Sequence, residues 1–189
     1  MPHCIMLIRH AEKPRPGHDG VDDAGKPDDL SLSVAGWRRA GAMAPYFASL
    51  AGSVHARSLC RPEHIFAARA TSMHPSTRPR DTVRPLADVL DLPVDERWSH
   101  EDPADRFAET LRNFEVPVLV CWRHDELPGL ARAILRDSGV PGTWPDDRFD
   151  LTWSIRRNDE GWTFLQLPQL LLAGDRVEVI GNDQRQSTD

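Results

Sequence analysis

The apolar run Cys4-Ile-Met-Leu-Ile8, followed directly by Arg9-His10, constrains the fold more than any other part of the sequence. A short unbroken run of this kind is typical of a strand that is buried on both faces of a sheet. The run Val116-Pro-Val-Leu-Val-Cys-Trp122 repeats the pattern and ends in Arg123-His124. If the two strands are parallel neighbours, both Arg-His pairs emerge at the carboxyl edge of the sheet, where open α/β proteins bind ligands.

Strands alternate with helices along the rest of the chain. Ser33 is the predicted N-cap of a helix whose apolar stripe runs from Val34 to Leu50 and which ends at Gly52. Three further helices are predicted from apolar stripes at Val83–Leu90, Phe107–Phe114 and Leu127–Leu135, and the last of them is expected to be opened by Pro128 and closed by Gly139. The predicted loops are Pro14–Asp29 and Val140–Asp147. The predicted strands are His64–Ala68, a hairpin formed by Leu151–Ile155 and Trp162–Leu167, and an edge strand at Asp175–Ile180. This order predicts an α/β fold, a layered α/β/α domain whose mostly parallel central sheet is made mixed by the late hairpin.

Length and charge predict one globular domain. The chain has 189 residues, and we expect the domain to span residues 1–181 and a loose polar tail to follow at 182–189. The formal net charge is −6, which argues against binding to nucleic acid or to an anionic membrane, because both require a basic surface. No apolar run approaches the roughly 18 residues of a transmembrane helix, and the first run is too short for the core of a signal peptide.

The cysteines indicate neither a disulfide framework nor a zinc site. Cys4, Cys60 and Cys121 are an odd number and form no Cys-x-x-Cys pair. We therefore expect all three to be reduced, in a cytoplasmic protein.

The two Arg-His pairs predict a pocket for an anion. Guanidinium groups bind phosphate oxygens in a bidentate manner, and the helix that starts after His124 would point its positive end toward the same place. Either pair alone fits a solvated strand end, but two pairs that each close a core strand favour a shared site. Ser76-Thr-Arg-Pro-Arg-Asp-Thr82 adds a third basic element, from which either Arg78 or Arg80 is expected to turn inward.

Four segments, in this order along the chain, resemble motifs of the histidine phosphatase superfamily, the phosphoglycerate mutase-like group. They are Ile5-Met-Leu-Ile-Arg-His-Ala-Glu-Lys13, Leu32-Ser33 with Gly36, Arg39 and Ala40, Arg78-Pro-Arg-Asp-Thr82, and the strand Val118–His124. The resemblance covers residues 4 to about 136 and implies the phosphoglycerate mutase-like fold. The chain departs from the family pattern at Ala11, Pro79 and Asp125 and in a longer loop from Phe66 to Arg78, and none of these departures removes a pocket charge.

The resemblance implies nucleophilic catalysis at phosphorus. His10 is expected to attack the phosphoryl group in line and to become a phosphohistidine, which divides one difficult displacement into two easier ones. Arg9, Arg78 and a cationic His124 are expected to neutralise the three equatorial oxygens. Because the arginines supply this charge, we expect neither a metal ion nor another cofactor.

A carboxylic acid is expected to give a proton to the leaving oxygen. Asp125 is the predicted acid, because it is adjacent to His124 and a His-Asp pair at this point resembles the acid phosphatase and phytase branch of the superfamily. Glu12 and Glu126 are its competitors. Lys13 is expected either to contact substrate from the rim or to be solvated.

The leading interpretation is a metal-independent phosphatase that acts on a small phosphorylated molecule or on a phosphohistidine protein. A phosphoglycerate-mutase-type phosphotransferase is an alternative, although only Glu96 or Glu101 could supply the glutamate that such mutases carry after the second pocket arginine. A non-catalytic phospho-ligand-binding module is another alternative. A metal-dependent hydrolase using His10, His124 and Asp125 is the last, and it lacks a recognisable ligand motif.

The remaining histidines and the tryptophans of the strands carry no predicted role in the site. The histidines are His3, His18, His55, His64, His74 and His100, and their spacing matches no metal-ligand pattern. Trp122 and Trp153 lie in apolar runs, so we expect them to pack in the core rather than to contact substrate.

Overall fold

Strands and helices alternate along the chain, as the sequence predicts. The computed structural model describes residues 3–49, 58–137 and 139–181. The predicted tail at 182–189 and Gly52 lie outside these ranges, and no helix within them is long and apolar enough to cross a membrane. The elements are β1 (His3–Arg9), β2 (Gly20–Val21), β3 (Leu32–Ser33), α1 (Val34–Ala48), β4 (His64–Ala67), α2 (Arg78–Leu90), β5 (Val94–Asp95), α3 (Ala104–Arg112), β6 (Val118–Trp122), α4 (Leu127–Leu135), β7 (Leu151–Asn158) and β8 (Gly161–Pro168).

Six strands form one sheet in the order β5-β4-β6-β1-β7-β8. The first four are parallel neighbours, whereas β7 pairs antiparallel with β1 and β8 pairs antiparallel with β7. The mixed, mostly parallel sheet that the sequence predicts is therefore confirmed. Arg9 is in register with Trp122 at the ends of β1 and β6, so the two Arg-His pairs emerge side by side at one edge.

The central strands send alternate side chains into two hydrophobic cores, one on each face of the sheet. Ile5 and Leu7 of β1 pack with α3 and α4, while Met6 and Ile8 pack with α1 and α2. The helices on both faces complete the three predicted layers. Trp122 and Trp153 are buried in the first of these cores, as predicted, in a set that also includes Trp144 of the 140–147 loop.

Helix α1 begins where the sequence predicts and lies directly against the segment that follows β1. The Ser33 hydroxyl oxygen accepts a hydrogen bond from the Gly36 amide at 3.2 Å, which caps the helix. A Cβ atom on Gly36 would lie 2.5 Å from the carbonyl oxygen of Glu12, so a larger residue could not be accommodated at this approach. The close packing brings Arg39 within reach of the Glu12 carboxylate.

The predicted edge strand at Asp175–Ile180 is wrong, because side chains bind the backbone groups of this segment. The amide of Arg176 donates to the Asp150 carboxylate at 2.8 Å. The amide of Ile180 donates to Gln166 at 3.1 Å, and the Gln166 amide group donates back to the Ile180 carbonyl at 2.7 Å. The segment is therefore held beside the hairpin without adding a strand to it.

Two other boundaries differ from prediction. Helix α4 ends at Leu135 rather than at Gly139, because Arg136 adopts the left-handed conformation that closes a helix, with φ of 55°. The segment Pro14–Asp29 is not wholly loop, since Gly20–Val21 pairs with β3 in a separate two-stranded sheet.

Cys4 and Cys60 form a disulfide, so the prediction that all three cysteines are reduced is wrong for these two. They are 56 residues apart in sequence, Cys4 on β1 and Cys60 shortly before β4, and their spacing gave no indication that they meet in space. Cys121 on β6 is a free, buried thiol, and burial raises its pKa.

Candidate active site

A cavity of about 320 Å³ opens at the carboxyl edge of the parallel strands. Among the described residues that line it, five are Arg or Lys, four are His and none is Asp or Glu. The basic lining residues are Arg9, His10, Lys13, Arg69, His74, Arg78, His100, Arg123 and His124. A concave surface with this distribution of charge attracts an anion.

Arg9 lies at the base of the site with its guanidinium buried. Nη1 donates hydrogen bonds to the backbone carbonyls of Pro145, Asp146 and Arg148 at 3.1, 2.8 and 3.0 Å. Nε and Nη2 are buried and have no hydrogen-bond partner among the described residues. Burial lowers the pKa of Arg9 to about 10, so it remains a cation at neutral pH with two donors available to a ligand.

His10 is buried and is held in a single tautomer. Its Nδ1 lies 2.8 Å from the carbonyl oxygen of Ala11, and because a carbonyl can only accept, Nδ1 carries the proton. The lone pair is therefore on Nε2. Burial, followed by the charges of Arg9, Arg78 and His124, lowers the pKa of His10 to about 3, so the ring is neutral at pH 7. A neutral imidazole with a defined free nitrogen is a competent nucleophile.

Arg78 enters the pocket from the first turn of α2, whereas Arg80 does not line it. The Arg78 guanidinium donates from Nε to the carbonyl of Ser31 at 3.1 Å and from Nη2 to that of Asp29 at 2.9 Å. These neutral acceptors fix the guanidinium without cancelling its charge. The Arg80 guanidinium instead pairs with the Asp81 carboxylate at 3.1 Å, so Arg78 is the inward arginine of this segment.

His124 follows β6 and lines the pocket. Its Nε2 donates to Oδ1 of Asp146 at 2.8 Å. Burial and then the charge of Arg9 lower the pKa of His124, although the charges of Asp125 and Asp146 act in the other direction. The resting pocket thus disfavours the cationic form of His124, and its role as a cation beside a bound phosphoryl group stays a prediction.

The three candidate acids lie outside the lining of the cavity. The Asp125 carboxylate accepts hydrogen bonds from Nε and Nη2 of Arg123 at 3.2 and 2.8 Å. Glu12 pairs with Arg39 at 2.8 Å. Glu126 accepts a hydrogen bond from the indole of Trp122 at 2.8 Å, and burial raises its pKa. The structure thus brings His10, Arg9, Arg78 and His124 together and places Asp125 behind Arg123; its role as the acid stays a prediction.

Four polar residues of the site were missed by the sequence analysis, namely Arg69, His74, His100 and Asp146. His74 and His100 line the cavity with their ring centroids 3.9 Å apart, and Nη1 of Arg123 is 2.6 Å from Nδ1 of His74. Both histidines lie in loops that follow parallel strands, β4 and β5, and that position was the available signal. Asp146 lies in a turn with no motif to mark it. The part of the chain that the structure describes holds no group of three or more His, Cys, Asp or Glu side chains placed to bind a metal ion.

Most of the chain is similar in structure to solved phosphatases and hydrolases. The proposed phosphohistidine phosphatase SixA from Agrobacterium tumefaciens matches with a TM-score of 0.52 and 16% identity, over 87% of this chain and 98% of that one. The proposed α-ribazole-5′-P phosphatase from Escherichia coli matches with a TM-score of 0.54 and 16% identity, over 87% and 96%. A structure named mycobacterial hydrolase 1 matches with a TM-score of 0.54 and 13% identity, over 87% and 97%.

At the level of sequence, a scan against protein-family models and a search of curated proteins both found no match. The similarity is thus one of architecture, over nearly the full length of each solved chain. The chain has the phosphoglycerate mutase-like α/β fold of the histidine phosphatases.

Proposed function

We propose that this protein is a member of the histidine phosphatase superfamily, a metal-independent phosphatase that hydrolyses a phosphomonoester or a phosphohistidine through a phosphohistidine intermediate on His10. One observation carries the proposal. The free Nε2 of a neutral His10 faces a cavity lined, among the described residues, by five Arg or Lys and three further His side chains. The match of four sequence motifs in order and the names of the similar structures support the same conclusion.

In the first step, Nε2 of His10 attacks phosphorus in line with the bond to the leaving oxygen. The N–P bond forms as the P–O bond breaks, and the departing oxygen takes the electron pair and a proton from the predicted acid Asp125. Arg9 donates from Nε and Nη2 to the phosphoryl oxygens, while Arg78 and His124 bind them from the sides. These groups are fixed before the substrate arrives, so they stabilise the developing charge with little reorganisation.

In the second step, water attacks the phosphohistidine. The P–N bond breaks, its electron pair returns to Nε2, the water gives a proton to the carboxylate of the predicted acid Asp125, and inorganic phosphate leaves. The hydrogen bond from Nδ1 to the Ala11 carbonyl keeps the ring in one orientation through both steps and favours the positive ring of the intermediate.

Hydrolysis fits the pocket better than the alternative reactions. Neither Glu96 nor Glu101, the candidates for a mutase-type glutamate, lines the cavity. A pure binding module has no need for a histidine held in the nucleophilic tautomer. The similar structures are named as phosphatases of phosphohistidine and of α-ribazole-5′-P, so we propose a small phosphorylated molecule or a phosphohistidine protein as the substrate.

A turnover screen tests the proposal. Wild-type protein, His10→Ala and the surface variant His18→Ala are assayed on p-nitrophenyl phosphate, alkyl phosphates and a phosphohistidine peptide, each with and without EDTA. We expect equal turnover by wild type and His18→Ala, none by the folded His10→Ala variant, and no effect of EDTA. Activity of His10→Ala, or a loss in EDTA that one divalent ion restores, would contradict the mechanism.

A further inference from the structure

The Asp146 carboxylate places one oxygen among three basic side chains of the pocket. Oδ1 lies 2.8 Å from Nε2 of His124 and 3.7 Å from both Nη2 of Arg9 and Nζ of Lys13. A phosphoryl oxygen makes the same kinds of contact, hydrogen bonds and ion pairs with imidazole, guanidinium and ammonium groups. The resting pocket therefore already holds an anion, and that anion belongs to the chain itself.

The backbone that carries Asp146 is fixed by the pocket. Nη1 of Arg9 donates to three carbonyls of this turn, and the Arg148 amide closes it by donating to the Pro145 carbonyl at 3.1 Å. The indole of Trp144 adds a hydrogen bond to the Arg148 carbonyl at 2.9 Å. In contrast, the Asp146 side chain is 75% exposed. The carboxylate can leave the cations by rotating about its own bonds, without movement of the turn.

The Asp146 carboxylate leaves some hydrogen-bond donors of the pocket without a partner. Nε and Nη2 of Arg9 are buried and make no hydrogen bond to any described residue, because Asp146 stays 3.7 Å away from Nη2. Buried donors without a partner are costly. A phosphoryl group offers three oxygens where Asp146 offers one, so it can satisfy more of the donors of this pocket and displace a single exposed carboxylate.

We propose that Asp146 is a built-in competitor for phosphate, which occupies the cations of the resting pocket, yields them to the phosphoryl group of the substrate and returns to them as inorganic phosphate leaves. The inference rests on the proposed function, because it takes this cavity as the phosphate site. Its consequence is weaker retention of the product. Asp146 thereby limits product inhibition, at some cost in affinity for the substrate.

Calorimetric titration with inorganic phosphate, at one pH and one ionic strength, tests this role. Asp146→Asn keeps the size of the side chain and removes its charge. The matched control is Asp147→Asn, at the neighbouring residue, whose carboxylate pairs with Arg176 at 3.0 Å. We expect Asp146→Asn to bind phosphate about three- to tenfold more tightly than wild type, in the range of a partly exposed ion pair, and Asp147→Asn to match wild type. Adding Arg78→Ala to either variant should weaken binding by about tenfold or more, which places the phosphate in this cavity.

Each outcome separates the competitor role from the proposed function. Clear binding by wild type together with unchanged or weaker binding by Asp146→Asn would overturn the competitor role and leave the phosphatase proposal standing. No binding by wild type or by either variant would overturn both, because the cavity would then not be a phosphate site.

Discussion

Arg9 both builds the site and keeps its charge available. One nitrogen of its guanidinium is bound by three backbone carbonyls, and the other two make no hydrogen bond to a described residue. Arg78 is held in a similar way, by the carbonyls of Ser31 and Asp29. Carbonyl groups orient a guanidinium and leave its charge in place, whereas a carboxylate would neutralise that charge. Donors fixed in this way are what a phosphoryl transition state requires.

Arg78→Ala is expected to reduce kcat/KM for a phosphomonoester by about tenfold to a hundredfold, because a charge-assisted hydrogen bond is worth about 1.5–3 kcal/mol. Arg80→Ala is expected to stay near wild type, since its guanidinium pairs with Asp81 and does not line the cavity. Steady-state kinetics of the two variants provide the comparison. A larger loss in Arg80→Ala would show that the wrong arginine has been assigned to the phosphate.

Asp125 remains the predicted general acid. Its carboxylate is hydrogen-bonded to Arg123 and does not line the cavity, so a direct test of proton donation is needed. Burial acts to raise the pKa of Asp125, but the hydrogen bonds from Arg123, the charge of Arg123 and the charge of His124 together lower it, which favours the carboxylate in the resting site. If Asp125 gives the proton, Asp125→Asn slows alkyl phosphates about a hundredfold and p-nitrophenyl phosphate little, because nitrophenolate leaves without a proton.

Both substrates bind through the same phosphoryl group, so a difference between their losses in kcat/KM reports proton donation rather than binding. Equal losses on the two would mean that Asp125 orients Arg123 instead. Glu12 or Glu126 would then be the next candidate for the acid.

At the scale of elements, Arg39 joins helix α1 to two segments that are distant in sequence. Its guanidinium donates to Glu12 at 2.9 Å, in the segment after β1, and to both carboxylate oxygens of Asp175 at 2.7 and 3.0 Å. The side chains of Arg39 and Asp175 are only 4% and 5% exposed. Arg39 thereby holds α1 against the segments of Glu12 and Asp175, although no residue of α1 lines the cavity.

Arg39→Met is expected to lower the free energy of unfolding by about 3–5 kcal/mol, because it leaves two largely buried carboxylates without their cation. The control is Arg38→Met, at an exposed position of the same helix, which should change stability by no more than about 0.5 kcal/mol. Urea denaturation measures both. Similar small effects of the two substitutions would mean that the buried pair contributes little to stability.

The elements that the sequence predicts correctly are those with a local signal. The apolar runs of β1 and β6 and the cap at Ser33 are examples, because neighbouring residues alone determine them. The failures arise from contacts between distant residues. Gln166 binds the backbone of Ile180 and prevents a strand there, and Cys4 meets Cys60 through the packing of the segment before β4.

At the scale of the molecule, the cavity belongs to no single element. Strand β1 ends in Arg9 and leads to His10, β6 leads to His124, and α2 opens with Arg78, so the order of strands and helices in the sequence is enough to predict that these residues converge. Asp146 could not be predicted in the same way. Its turn is positioned by hydrogen bonds from Arg9, which is 137 residues away in the chain.

The buried, neutral His10 is expected to make the whole fold sensitive to acid. Its pKa of about 3 in the folded state lies below the ordinary value of 6.5, so below pH 6.5 the unfolded chain binds a proton that the folded chain does not. Stability from this residue therefore declines as the pH falls from 6.5 toward 3. Between pH 7 and 4.5, His10→Gln should lose about 2–3 kcal/mol less unfolding free energy than wild type. Equal losses in the two proteins would show that His10 is not buried in its neutral form.

Trapping the covalent intermediate tests the central claim most directly. The protein is mixed with a phosphomonoester labelled at phosphorus, quenched in alkali within the first turnover because phosphohistidine is labile in acid, and mapped by mass spectrometry. The mechanism predicts one phosphoryl group, on His10, that forms and decays at rates consistent with turnover and is absent from His10→Ala. Turnover without any labelled protein, or label on a residue other than His10, would contradict it.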